Sequence, residues 1–137
     1  MQRKIRAVNE PGTDIGKRRH SFYTAAFKHI TDPIDKGFYL EAITLIESVI
    51  TDRLEGHLTT LLGADFSYKT LGDIIEKTKK RETDEILQKL IIQDLDQWRI
   101  KRNSSLHGMV KFEEGDSSNF YERRKNLSAI AKEGLVL

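Results

Sequence analysis

Apolar residues recur along this chain at intervals of three and four, and no stretch alternates with period two. The pattern therefore predicts helices throughout. From Ser21, the residues Phe22, Tyr23, Ala26, Phe27 and Ile30 fall on one helical face, with Ser21 placed to cap it. Thr31-Asp32-Pro33 is expected to end that helix and start the next. Asp32 would be the N-cap, and Pro33 would sit in the first turn, where its missing N–H leaves nothing unpaired. The segment Pro33 to Leu62 is the longest expected helix, about 45 Å if unbroken. Phe38, Ala42, Leu45 and Val49 form one stripe on it. Tyr39, Ile43, Ile46, Ile50, Leu54, Leu58 and Leu61 form a second beside the first. An apolar face that wide needs at least two neighbours, so this helix should be the centre of a bundle.

Gly63 is a natural stop, and Ala64 to Lys69 reads as a loop. Thr70 is placed to cap a shorter helix with Leu71, Ile74 and Ile75 inward and Asp73 in a capping-box position. Lys77, Lys79, Lys80 and Arg81 close it, near the negative end of the helix dipole. Thr83 opens the following helix, with Ile86, Leu87, Leu90, Ile91, Leu95 and Trp98 along its buried side. Gly108 to Gly115 is a connection. A last helix carries Phe120, Leu127, Ile130 and Ala131 inward and Arg123, Arg124 and Lys125 outward, and Gly134 is expected to end it. The expected fold is all-α: an up-and-down bundle of four core helices plus an additional N-terminal helix.

At 137 residues the chain is expected to form one domain. Residues 1–20 read as a basic arm and residues 21–137 as a single helical domain. In the arm, Arg3, Lys4, Arg6, Lys17, Arg18 and Arg19 stand against Glu10 and Asp14. That is +4 in a chain whose formal net charge is +2, so the body is close to neutral. Such an arm is ordinarily a solvated terminus, and it can also steer a protein towards phosphate. There are no cysteines, so disulfides and thiolate metal sites are excluded, and a reducing cytoplasm is the expected compartment. No run approaches the roughly 20 apolar residues of a membrane span. His20, His29 and His57 show no ligand spacing, so neither a metal nor a cofactor is expected. There is no phosphate-binding glycine loop and no Gly-x-Ser-x-Gly motif.

Chemistry concentrates in Trp98-Arg99-Ile100-Lys101-Arg102-Asn103-Ser104-Ser105-Leu106-His107-Gly108, where an apolar helix runs into polar residues. Histidine exchanges protons near neutral pH. Arginine is a fixed cation whose fork matches a phosphate. The two suffice in principle to cleave RNA without a metal. One group moves the proton of the 2′-OH or of the leaving oxygen, and the other stabilises the charge that builds on phosphorus. Asn103, four residues before His107, could orient the imidazole. Arg102 and His107 stand about 140° apart on an ideal helix. The helix must then end or distort between them, or two chains must meet. As a bare pattern the spacing is worth little, since ten arginines and four histidines give about one match by chance. On the bland reading His107 sits at a helix C-terminus, where a cation is favoured, and Arg102 is an ordinary ion-pair residue.

Arg102-Asn103-Ser104-Ser105-Leu106-His107 after a helix closing on Trp98, with Gly37 to Glu47 on an early core helix, resembles the HEPN superfamily (higher eukaryotes and prokaryotes nucleotide-binding domains). The resemblance spans residues 33–132 in helix order, and the Arg-Asn-His motif is its distinctive part. It implies a metal-independent endoribonuclease acting as a homodimer on an RNA substrate, a toxin or antiviral-defence enzyme with a possible antitoxin or other regulatory protein. Arg102 and His107 would be catalytic, with the motifs of both protomers lining one cleft. Asn103, Ser105 and Glu47 would support them, Glu47 from the early helix. Lys101 and Lys111 are the expected RNA contacts. One toxin branch carries a tyrosine two residues after the histidine, which a partner nucleotidyltransferase modifies; Met109 stands there, against that form of control. The alternative function is a non-catalytic helical module of this type that binds a partner protein or nucleic acid.

Overall fold

A computed structural model describes residues 7, 9–62, 70–109, 111 and 114–137. Among the described residues every regular element is a helix: α1 (Ile15–Lys36), α2 (Tyr39–Leu62), α3 (Leu71–Arg81), α4 (Glu85–Lys89), a π-helical segment (Leu90–Leu95), α5 (Asp96–His107) and α6 (Phe120–Val136). Residues 1–6 and 8 of the expected arm, the stop at Gly63 and the loop over residues 64–69 lie outside the described residues. So do residues 110, 112 and 113 of the α5–α6 connection.

The molecule is a helical bundle built on α2, against which α1, α3 and α6 all pack. Ala42, Ile43 and Ile46 of α2 are buried, as the double stripe requires, and they meet Ile30 and Ile34 of α1 and Leu127, Ile130 and Ala131 of α6. The ends of the stripes fare differently. Phe38 and Leu61 are exposed, as are Phe22 and Phe27 on α1 and Phe120 on α6.

The first two helices divide elsewhere than expected. The helix predicted from Ser21 begins at Ile15, so Lys17, Arg18 and Arg19 are helical, and Asp14 rather than Ser21 precedes the first turn. Arg19 donates to Asn9 Oδ1 and to the Ala7 carbonyl, both at 2.5 Å, and pairs with Asp52 of α2 at 3.3 Å. These contacts anchor the start of the helix. Thr31-Asp32-Pro33 does not break it. Pro33 is buried within the last turn, and the carbonyl its ring leaves unmatched belongs to exposed His29, where water can satisfy it. The stop is Gly37, with φ of 82°. Its N–H donates to Ile34 O at 3.2 Å and that of Phe38 donates to Pro33 O at 2.6 Å, the paired bonds of a Schellman turn. The long helix therefore starts at Tyr39, not Pro33.

Thr70 caps α3 by accepting from Asp73 N–H at 3.3 Å, and Leu71, Ile74 and Ile75 are buried as predicted. Asp84, not Thr83, caps α4, accepting from Ile86 and Leu87 N–H at 2.9 and 3.1 Å. Between α3 and α4, buried Glu82 acts as a clasp. One carboxylate oxygen accepts from Thr83 and Asp84 N–H at 3.1 and 3.0 Å, and the other meets His57 of α2. The hydrogen bond from His57, then that from Asp84, holds its pKa below the ordinary 4.5.

The inward set assigned to the next helix is only half right: Ile91, Leu95 and Trp98 are buried, while Ile86 is 80% exposed and Leu90 37%. On an ideal helix Ile86 stands about 140° and Leu90 about 100° from Ile91, so both fall off the side that Leu87, Ile91, Leu95 and Trp98 share. Gly134 does not end α6 either. It is buried inside the helix, and a Cβ there would lie 2.7 Å from Trp98 Cζ2.

Two predictions follow from this packing. Gly134→Ala gains about 1 kcal/mol of helix propensity and meets an overpacking cost of about 1–3 kcal/mol against a ring hemmed in on all sides. The expected net effect is a loss of stability, read from urea unfolding, and an unchanged or raised midpoint contradicts it. The lowered pKa of Glu82 means its charged form favours the fold. That contribution is complete above about pH 4.5 and is lost as pH falls through the folded-state value. Glu82→Gln should lower stability at about pH 7 and flatten its fall towards about pH 3, both measured by denaturant melts across pH.

Candidate functional site

Helix α5 carries the motif. Its first turn is tied down by Asp96, which accepts from Arg99 Nε at 2.8 Å and from Lys79 of α3 at 3.4 Å. Burial raises the pKa of Asp96, but those two cations outweigh it and the net shift is downward. One turn on, Trp98 is fully buried and donates from Nε1 to Ile130 O of α6 at 2.8 Å. The helix then runs unbroken through Asn103, Ser104 and Ser105 to His107, and Gly108 N–H closes it on Ser104 O at 2.9 Å. The break or distortion that would aim Arg102 and His107 from one straight helix at one phosphate is not made.

Arg102 is 9% exposed, a buried cation. Its Nη1 donates to Glu47 Oε2, and its Nη2 donates to Asn103 Oδ1 at 2.6 Å. The guanidinium lies 5.9 Å from the Trp98 ring centroid, within cation–π range. Its Nε is buried and makes no hydrogen bond. Burial lowers its pKa, yet a guanidinium stays charged at any working pH. Glu47, from the middle of α2, is the wetter partner, with its side chain 32% exposed against 10% for Arg102. It lines a groove of about 800 Å³ together with Arg18, Phe22 and Leu71.

Three of the expected residues, Arg102, Asn103 and Glu47, thus come together. The others stand apart from them. Asn103 faces Arg102 rather than bonding His107, and gives the buried guanidinium a second acceptor beside Glu47. His107 is exposed one turn beyond Asn103 and, among the described residues, makes no side-chain hydrogen bond. Ser105 and Lys111 border a polar groove of about 730 Å³ on the α6 side, together with Arg123 and Asn126. Lys101 also turns to α6, where its ammonium meets Glu133 at 3.1 Å. Met109 packs, partly buried, against the core.

Sequence reasoning missed the roles of two arginines that it left on a solvated face. Arg123 donates to Gly108 O at 2.6 Å, Ser118 Oγ at 3.1 Å and Asp116 at 2.8 Å, and also to Lys111 O. It holds the α5–α6 connection and fixes where the motif helix ends. Arg124 donates to Gly37 O at 2.8 Å and lies 5.2 Å from the Tyr39 ring, bracing the α1–α2 turn. No local signal marks the contact of Arg124 with Gly37 O, 87 residues away, or the two backbone carbonyls that Arg123 reaches. The Trp98–Arg102 contact was legible, since residues four apart share a helix face. Among the described residues no group of three or more histidines and carboxylates comes together to hold a metal ion. No family model matches the chain, and neither a curated protein nor a solved structure matches it.

Removing one member of a buried ion pair strands the other. Glu47→Ala should therefore cost about 2–3 kcal/mol, the lower end of the buried-pair range because Glu47 is partly solvated. Replacing Arg102 by methionine in the same chain should recover about 1 kcal/mol or more. A double-mutant cycle by urea unfolding measures the coupling, and additive losses contradict the pairing.

Proposed function

We propose that this protein is a metal-independent endoribonuclease of the HEPN type. It works as a homodimer with a composite site, the bundle following that superfamily's up-and-down arrangement. The observation that carries the reading is the placement of Arg102. A buried cation is held by Glu47, Asn103 and the Trp98 ring, and its Nη2 end is turned to the side of α5 where exposed His107 follows one turn later.

The chemistry divides among these residues. A base, the His107 imidazole, takes the 2′-OH proton as the 2′-oxygen attacks phosphorus. The bond to the 5′-oxygen breaks, and that oxygen leaves with a proton from water, giving a 2′,3′-cyclic phosphate and a 5′-OH end. Arg102 stabilises the added negative charge on the non-bridging oxygens, with most of its desolvation already met by the fold. Glu47 and Asn103 position the guanidinium, Ser105 supports the helix end beside them, and Lys101 and Lys111 contact the RNA backbone. The biological setting is toxin activity or antiviral defence in the cytoplasm, under an antitoxin or another regulatory protein.

A second reading has one observation in its favour. Arg102 is already neutralised by Glu47 and is nearly out of solvent, as in a purely structural pair. On that reading the protein is a non-catalytic module of the same type that binds a protein or nucleic acid. Incubation with RNA in excess EDTA separates the two. Cleavage leaving cyclic phosphate ends, reduced about 100-fold or more in both His107→Ala and Arg102→Ala, is the expected result. Cleavage that survives both substitutions, or no cleavage by the intact protein, removes the nuclease reading.

A further inference from the structure

The outward side of α1 carries charge of one sign. Between Asp14 and Asp32 the helix holds Lys17, Arg18, Arg19 and Lys28 with His20 and His29, and no acid, in a chain with 21 aspartates and glutamates. Arg19 is partly buried and pairs with Asp52. Lys17, Arg18 and Lys28 are exposed, and among the described residues no carboxylate comes within ion-pair distance of them. At spacings of four, three and four the exposed residues fall in two adjoining rows, each about 16 Å long. Lys17, Ser21, Thr24 and Lys28 make the first, and Arg18, Phe22, Ala25 and His29 make the second. Within the second row Phe22 is 67% exposed. Arg18 and Phe22 also line the groove of about 800 Å³ that holds Thr44, Ser48 and Glu47, the partner of Arg102. The acids of that groove are matched or buried: Asp52 pairs with Arg19, Glu47 pairs with Arg102, and Glu55 is buried.

We propose that this face of α1 is a track for single-stranded RNA, with Lys17, Arg18 and Lys28 on phosphates and a base stacked on the Phe22 ring. The groove then carries the strand on towards Glu47 and Arg102. The track rests on RNA being the substrate of the proposed function, and it names the surface that holds the strand away from the reacting bond. Charge and shape select this occupant. Cations with no acid among them attract a polyanion. An exposed aromatic beside them is a stacking platform, which a duplex with its bases already stacked cannot use. An anionic membrane fits poorly, since a helix lying in a membrane surface needs its apolar side free. The apolar side of α1 is committed, with Ile30 and Ile34 buried in the core of the bundle. At about 3.4 Å per stacked nucleotide, a row of about 16 Å accommodates about four or five nucleotides.

Binding without cleavage tests the track. A single-stranded RNA of about 12 nucleotides, 2′-O-methylated so that it has no attacking hydroxyl, is titrated with the intact chain and followed by fluorescence anisotropy. Phe22→Ala should weaken binding about tenfold and Phe22→Trp should keep it, because both rings stack and alanine does not. Replacing Lys17, Arg18 and Lys28 together by glutamine should flatten the slope of log Kd against log salt by about 2, at about 0.7 for each phosphate released. All four positions are exposed, so helix content by circular dichroism is expected to stay as it is. A Phe22→Ala protein that binds like the original, an unchanged salt slope, a duplex bound as tightly as the single strand, or no binding by the intact chain overturns the track. Flotation with phosphatidylserine–phosphatidylcholine vesicles that needs the same three cations, while the RNA is not bound, overturns it in favour of a membrane. Unmodified RNA keeps the two proposals apart. Binding through α1 with no cutting leaves the track standing and removes the nuclease. Cutting by the intact chain, with binding unchanged in the α1 variants, leaves the nuclease and removes the track.

Discussion

The structure depends on Trp98. Its ring is fully buried between α5 and α6, its only polar atom is matched by Ile130 O, and its edge lies where Gly134 leaves a side chain out. A large aromatic buries more apolar surface than any other side chain, and here it does so at a fixed distance and angle because the hydrogen bond and the glycine gap admit one pose. That pose sets how α5 lies on α6. It also sets the position of everything within a turn of the ring, including the guanidinium of Arg102 four residues later.

Arg102 forms the second constraint, between α5 and α2. Burying a guanidinium costs several kcal/mol unless it is paired and hydrogen-bonded, and Glu47 and Asn103 supply that pairing. The arrangement couples three elements: α2 brings the carboxylate, α5 the cation, the amide and the ring beneath, and α6 holds that ring through Ile130 O. A cation preset in this way reorganises little when it meets an anion, the property that makes such groups effective towards developing phosphoryl charge. The same pairing makes the residue hard to reach.

Much of the fold was legible in the chain, but unevenly. Interior positions of strong stripes, such as Ala42, Ile43 and Ile46, were read correctly because a residue in mid-helix with apolar neighbours one turn away has little choice of face. The cap at Thr70 lies in a local pattern and formed as local patterns do. Glycines were the poorest guide. Gly37, unmarked in the reading, ends α1 in a left-handed turn, whereas Gly134, expected to end α6, lies inside it to admit an indole. Local sequence cannot separate these two uses of a missing Cβ, since one serves the backbone and the other serves a distant side chain.

The sequence by itself determined that the chain is helical, where the stripes of α2 and α3 face, and that arginine, asparagine and histidine would share one short helix, because periodicity and spacing along a helix are properties of the covalent order. Tertiary structure alone decided that Arg102 is buried and matched by Glu47, that Asn103 serves Arg102 rather than His107, and that Arg123 and Arg124 hold turns together. The Arg102–Glu47 and Arg124–Gly37 contacts join residues 55 and 87 apart in sequence. The partner of a buried charge is chosen by which groups the packed helices bring within hydrogen-bonding distance, and no local pattern records that choice.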